Sequence, residues 1–365
     1  MTTARGAGEV TGSVTDVRDA HRFDEAALRA WLAGRLPGAE QGVTVRQFEG
    51  GQSNPTYLLE AVQGGGRWVL RKKPAGALLD SAHMVEREQR VMIALAGSEV
   101  PVPAVPLASD DPSIIGTPFF IMEYVHGRIL RDPALPSMTA AERGVAYQVV
   151  VDALATIHDV DWAAQGLAGF GKPAAYVARQ IARWSRQYRD SEASPLADME
   201  WLMAWLPEHV PPEPPVTLVH GDYRIDNLVL HPTEPRVLAV LDWELSTLGD
   251  PLTDLAYFCL PYHIDRQQQG LRGLGGHDLE ALGIPSQAQV VAAYCARRRM
   301  GVPSREVMSF YLAFGFFRLA AITAGIGARL RHGNASSDHA RAVAAQTGML
   351  GATARRLALS TGSAA

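Results

Sequence analysis

The sequence predicts an α+β protein of two lobes, a small β-rich amino-terminal one and a larger, mainly helical carboxy-terminal one. Three observations carry that expectation. At roughly 100–200 residues per domain, the 365 residues are enough for two. Short strand-like runs fill residues 43 to 124, and apolar residues at helical spacing dominate from residue 140 onward. The expected boundaries are 1–22 for a flexible start, 23–126 for the first lobe and 127–365 for the second.

In chain order, Val43–Glu49, Thr56–Val62 and Trp68–Lys72 read as three meandering strands, with Gly50-Gly51 and Gly64-Gly65-Gly66 as the turns between them. Ser81 can cap a helix running to Leu95, because Met84, Glu88, Val91 and Leu95 fall on one face. Pro101, Pro103 and Pro106 end it. Pro118–Val125 is a further strand, and Gly127 marks the exit from the lobe. Helices are then expected over Ala140–His158, Ala174–Tyr188, Gln287–Arg299, Glu306–Arg331 and Asp338–Leu359. Between them Val216–Val219, Leu228–Leu230 and Val237–Leu241 read as one compact β-rich island.

Hydrophobic residues make up 47% and charged residues 20%, which is ordinary for a globular protein. A net charge of −4 offers no basic footprint for nucleic acid. Cys259 and Cys295 are too few for a disulfide framework or zinc site and read as free, buried thiols. The first 21 residues contain no apolar run suited to a secretory signal, so a cytoplasmic location is expected. Val307–Ala328 has the ~20 apolar residues a bilayer requires, but Arg318 sits at its middle. A buried helix is therefore expected there, and no membrane partner.

The most informative segment is His220-Gly221-Asp222-Tyr223-Arg224-Ile225-Asp226-Asn227, followed by an apolar run ending in Asp242. An Asp and an Asn five residues apart in a tight loop, with a second Asp ending a neighbouring strand, can set hard oxygen ligands around Mg²⁺. Asp222 is then left to face a substrate hydroxyl. Each residue taken singly is also an ordinary turn former.

The whole set, His-Gly-Asp-x4-Asn followed by strand-Asp, resembles the aminoglycoside phosphotransferase (APH) family of small-molecule kinases. That resemblance runs from about residue 23 to residue 335 and implies a protein-kinase-like fold, ATP and Mg²⁺ as cofactors, and a small molecule with a hydroxyl as acceptor. The first lobe would bind nucleotide, and the second would carry the catalytic loop, metal site and a helical acceptor region. Asp222 would be the catalytic base, with Asn227 and Asp242 the Mg²⁺ ligands. Arg224 falls where protein kinases carry a catalytic-loop Lys, and His220 and Gly221 would shape the loop. Glu49 to Asn54 would cover the ATP phosphates, with Ser53 and Asn54 as donors. Arg71 takes the place of the phosphate-binding Lys, with Lys72 as alternative, and Glu88 that of its ion-pair partner, with Glu86 as rival. Glu123 and Val125 would meet adenine through their backbones. Asp250 and Asp254 match the family pattern in loop-and-cap roles.

The motifs Arg-Lys-Lys-Pro (71 to 74), His-Gly-Asp-Tyr-Arg (220 to 224) and Phe-Arg-Leu-Ala-Ala-Ile (317 to 322) resemble the branch found fused ahead of acyl-CoA dehydrogenases. Charge favours an anionic acceptor such as a hydroxyacyl-type compound. From residue 255 onward the chain has 12 Arg, no Lys and 5 acidic residues, a balance of +7 against −11 for the rest. Arg318 either meets an acceptor carboxylate or phosphate or pairs with a buried acid such as Asp254. Two other functions stay open, a pseudokinase or nucleotide-gated binding protein and an aminoglycoside-modifying kinase. Oligomeric state is left open, a homodimer being one option.

Overall fold

The computed structural model describes residues 12–49, 54–74, 85–191, 194–331 and 338–360. The chain forms two compact units. The first runs to Leu130 and also takes in Ala163–Leu167 and Asp226–Ser246, and the second holds the remainder.

The elements of the first unit begin with β1 (Val14–Thr15), α1 (Glu25–Leu32), β2 (Val43–Phe48), β3 (Thr56–Ala61) and β4 (Arg67–Lys72). They continue with α2 (Val85–Leu95), β5 (Leu107–Ser109), the one-turn α3 (Pro112–Ile115) and β6 (Phe119–Glu123). The six strands make one antiparallel sheet in the order β1-β2-β3-β4-β6-β5. Tyr57, Leu59, Leu70 and Ile121 face α1, which returns Leu28 and Leu32 to form the core. Sequence periodicity alone misses α1, a short helix capped by Asp24, whose carboxylate accepts the Ala27 N–H. Residues 1–22 carry no strand signal, yet Val14 and Thr15 pair with Phe48 and Gln47 as an edge strand. The expected cap Ser81 and Met84 lie outside the described residues.

The second unit contains α4 (Ala140–His158), α5 (Tyr176–Asp190), α6 (Ala197–Glu208) and β7 (Thr217–Val219). The chain then passes through β8 (Leu228–Leu230) and β9 (Val237–Val240), which belong to the first unit, and returns at β10 (Thr247–Gly249) and α7 (Pro251–Cys259). It ends with α8 (Leu279–Leu282), α9 (Gln287–Arg297), α10 (Arg305–Arg331), α11 (Asp338–Ala344) and α12 (Thr347–Leu359). Helix α10 is long and apolar enough to cross a bilayer, but 83% of its most apolar window is buried, packed against α5, α7 and α12. A single helix is expected over 338–359, and the structure breaks it at Ala345–Gln346. There the Thr347 hydroxyl bonds to the Ala344 carbonyl and to Thr323, competing with the helical ladder.

The β-rich island is also divided. Strand β7 pairs with β10, while β8 pairs with β9. The β8–β9 hairpin is tied to the first unit by Val240, which donates to the Pro101 carbonyl at 2.8 Å, and by reciprocal bonds between Arg128 and Leu230. Gly127 permits this: a Cβ there would lie 2.4 Å from the Leu230 carbonyl oxygen and 2.5 Å from Val229.

Candidate active site

In the first unit the site is built around Arg71. Successive side chains on β4 point to opposite faces, and Arg71 faces α2. Its Nη1 donates to Glu88 Oε1 at 2.7 Å and its Nη2 to Asp242 Oδ1 at 3.1 Å, with Glu244 Oε2 at 3.9 Å. Lys72 turns the other way, its Nζ 5.8 Å above the Phe23 ring, and Glu86 pairs with Lys73 instead. Helix α2 also holds the turn after Asp242, because Arg87 donates through Nε and Nη2 to the Ser246 carbonyl. Burial and the neighbouring carboxylates of Asp242 and Glu244 push the Glu88 carboxyl above its usual range, against the pull of Arg71.

Asn227 ends the one-turn 3-10 helix just before β8, where its carbonyl accepts the Leu241 N–H at 2.8 Å. Asn227 and Asp242 therefore sit at the same end of the β8–β9 hairpin. Asp242 is held at φ +66°, a left-handed conformation uncommon for a side-chain-bearing residue and concentrated at functional sites. An amide oxygen and a carboxylate are the hard donors Mg²⁺ takes beside substrate phosphates and water. One guanidinium facing three carboxylates leaves an excess of negative charge that a divalent cation would balance. The residues present fit the metal. Among the described residues no cluster of three or more His, Cys, Asp or Glu forms a protein-only cage.

In the second unit Asp254 of α7 organises the loop after β7. Its Oδ2 accepts the His220 N–H at 2.6 Å and its Oδ1 the Gly221 N–H at 2.9 Å. His158 Nε2 donates to Asp254 Oδ2 at 3.2 Å, while its Nδ1 accepts the Tyr294 hydroxyl at 2.6 Å. These partners assign the neutral tautomer, consistent with burial lowering the His158 pKa. Against the opposing effect of burial, the hydrogen bonds from His158 and the Gly221 N–H lower the Asp254 pKa. Gly221 adopts φ +83°, which turns its carbonyl toward Arg318 Nη2, a hydrogen-bond donor to it. Asp222 follows, its side chain 20% exposed, with Arg224 Nε at 3.6 Å and the buried Tyr257 hydroxyl bonded to it. Asp250 caps α7 through the Leu252 N–H and accepts the Tyr311 hydroxyl.

Several expected roles look different in this geometry. Among the described residues Arg318 pairs with no acid, Asp254 being engaged by loop N–H groups and His158. Its guanidinium braces the Gly221 carbonyl and lies 4.8 Å over Tyr257 and 5.3 Å over Trp184. Asn54 is fully buried and donates to Glu244 at 2.7 Å, so its amide is engaged within the protein. Ser53 lies outside the described residues. Glu123 gives its N–H to the Ala104 carbonyl, so only its carbonyl could serve a nucleotide, and Val125 follows half-buried after β6. Sequence reasoning missed Glu244, Tyr257 and His158. Glu244 had a weak signal in the Asp-x-Glu that ends the motif, whereas the others had none.

A family model described as the phosphotransferase enzyme family, APH, matches residues 44–298. Acyl-CoA dehydrogenase family member 10 of Mus musculus is 46% identical over 335 residues, covering 92% of this chain and 31% of that protein. The chain thus spans less than half the length of that relative. A Ralstonia eutropha protein provisionally assigned as an aminoglycoside phosphotransferase has a solved structure 44% identical, with TM-score 0.82 over 93% of this chain and 99% of that one. A thermostable mutant of an aminoglycoside phosphotransferase, in ternary complex with ADP and hygromycin B, shares the fold at 17% identity and TM-score 0.60, over 94% and 99% of the two chains. The fold is protein-kinase-like. With the family match spanning β3, β4, the Asp222 loop and the Asp242 turn, this chain belongs to the APH phosphotransferase enzyme family.

Proposed function

We propose that the chain is a small-molecule kinase that moves the γ-phosphoryl group of ATP to a hydroxyl of a small anionic metabolite, such as a hydroxyacyl-type compound. The acceptor oxygen forms a bond to the γ-phosphorus as the bond to the β,γ-bridging oxygen breaks. That electron pair leaves on ADP, and the hydroxyl proton passes to the Asp222 carboxylate. Arg71, fixed by Glu88, faces the α- and β-phosphates, Arg224 neutralises charge near Asp222, and the Glu123 carbonyl and Val125 backbone meet adenine. Asn227 and Asp242 would hold Mg²⁺, which when bound offsets the charge of the phosphates.

The observation that carries this reading is the Asp222 loop. Its backbone is pinned by Asp254 on one side and Arg318 on the other, and its carboxylate stays accessible. The +7 balance beyond residue 254 supports an anionic acceptor over a polycationic aminoglycoside. The ion pair of Arg71 with Glu88 supports catalysis over the pseudokinase reading, since the replacement of Lys keeps its partner.

The test is ADP release from Mg·ATP by the purified chain against hydroxyacyl-CoAs, hydroxy acids, sugars, choline and aminoglycosides. Turnover is expected with an anionic hydroxyl compound, and Asp222→Asn should lower it by about 10²-fold or more while Mg·ATP affinity is kept. Turnover confined to aminoglycosides would favour the second reading, and an Asp222→Asn enzyme of near-normal rate would remove Asp222 from the mechanism.

A further inference from the structure

Trp184 on α5 carries two guanidinium groups. The Arg183 carbon lies 5.2 Å from its ring centre and the Arg318 carbon 5.3 Å, so the two cations are at most 10.5 Å apart. Arg318 and Trp184 are more than nine-tenths buried, yet among the described residues Arg318 Nε and Trp184 Nε1 have no hydrogen-bond partner. Among the described residues Arg183 makes neither an ion pair nor a hydrogen bond, and no carboxylate pairs with Arg318. Burial and the nearby Arg318 charge hold the Arg183 guanidinium below its usual pKa. Buried N–H donors are almost always matched by an acceptor, and two cations sharing one ring without a carboxylate counter-charge call for an anion. The place of this cluster is informative. The Arg318 guanidinium lies 4.8 Å from the Tyr257 ring, whose hydroxyl bonds to Asp222.

We propose that Arg183, Trp184 and Arg318 form a subsite for the carboxylate or phosphate group of the acceptor, one tyrosine ring away from the carboxylate that receives the hydroxyl proton. The proposal rests on the kinase reading and deepens it. The acceptor carries its anionic group and its reactive hydroxyl on one short chain that spans Tyr257, which describes a hydroxy acid or a phosphorylated alcohol. Arg183, half-buried and otherwise unengaged, sets specificity, while Arg318 serves both the anion and the Gly221 carbonyl.

The experiment uses the full chain and probes that do not depend on turnover. Hexanoate and inorganic phosphate are titrated separately by calorimetry into the wild type, Arg183→Gln and Arg183→Lys. Hexanoate should bind the wild type, weaken by roughly 10-fold or more in Arg183→Gln through loss of a charge-assisted hydrogen bond, and recover in part in Arg183→Lys. Mg·ATP affinity should be the same in all three. In steady-state kinetics the hydroxy acid 6-hydroxyhexanoate should show a lower KM than its amide, and Arg183→Gln should abolish the difference. Equal hexanoate binding by wild type and Arg183→Gln overturns the subsite. Phosphate binding that is lost in Arg183→Gln supports the subsite for a phosphorylated alcohol, whereas phosphate binding that Arg183→Gln leaves unchanged overturns it. If hexanoate binding depends on Arg183 but no hydroxy acid is phosphorylated, the anion subsite stands and the kinase reading fails.

Discussion

Three carboxylates converge on Arg71, and its removal would leave Glu88, at 1% exposure, without a counter-charge. Breaking one partner of such a buried pair costs about 3–5 kcal/mol, so Arg71→Met should shift the urea midpoint markedly and abolish nucleotide binding. Arg71→Lys should recover part of the stability, because an ammonium reaches Glu88 but cannot fork to Asp242 as well. A midpoint unchanged in Arg71→Met would show that the pair adds nothing to the fold. The residue type of the partner, and of its rival Glu86, was legible from helical spacing. The convergence of Asp242 and Glu244 on the same guanidinium was not, since more than 170 positions separate them from Arg71.

At the scale of elements, the β8–β9 hairpin is placed by the segment after β6 as much as by its own pairing. Gly127 lets that segment approach close enough for the Arg128 and Leu230 exchange. Gly127→Ala should force backbone against backbone and destabilise the protein by about 1–3 kcal/mol, in the range of overpacked sites. Hydrogen exchange at Arg128 and Leu230 reports it: both amides should lose protection before those of β3 and β4, and a uniform loss across the sheet would contradict the local account. Strand β7 was legible as a strand, but β10 and its pairing with β7, three residues each, were not. Three residues carry too little periodicity to name their partner, so the sequence pattern grouped β7 with β8 and β9.

For the whole molecule, the buried Asp250 and His158 set opposing pH responses. His158 has its pKa lowered, so stability is lost as pH falls below the unfolded value near 6.5. Burial pushes Asp250 up to about 6, so the native state takes up its proton first. This group adds stability as pH falls from about 6 toward its unfolded value of 3.8. Asp250→Asn retains a good helix cap and removes that gain. Urea unfolding at pH 7, 5.5 and 4.5 should show the variant at least as stable as wild type at pH 7 and progressively less so on acidification. Parallel curves would refute the shifted Asp250.

The sequence by itself determined the α+β class, most of the longer elements, the family and the identity of the motif residues. These rest on local signals: period-two or helical spacing, glycines and prolines at turns, and a motif whose parts lie within one loop and one strand end. Only the tertiary structure decided which carboxylates surround Arg71, that Asn54 faces inward to Glu244, and that the β-rich island is divided. Arg318 is the clearest case. A lone arginine in an apolar helix announces that it needs a partner, but a backbone carbonyl and two aromatic faces have no sequence signature as acceptors of charge. The Asp222 loop presents that carbonyl from a backbone that Asp254, 33 positions from Gly221, holds in place.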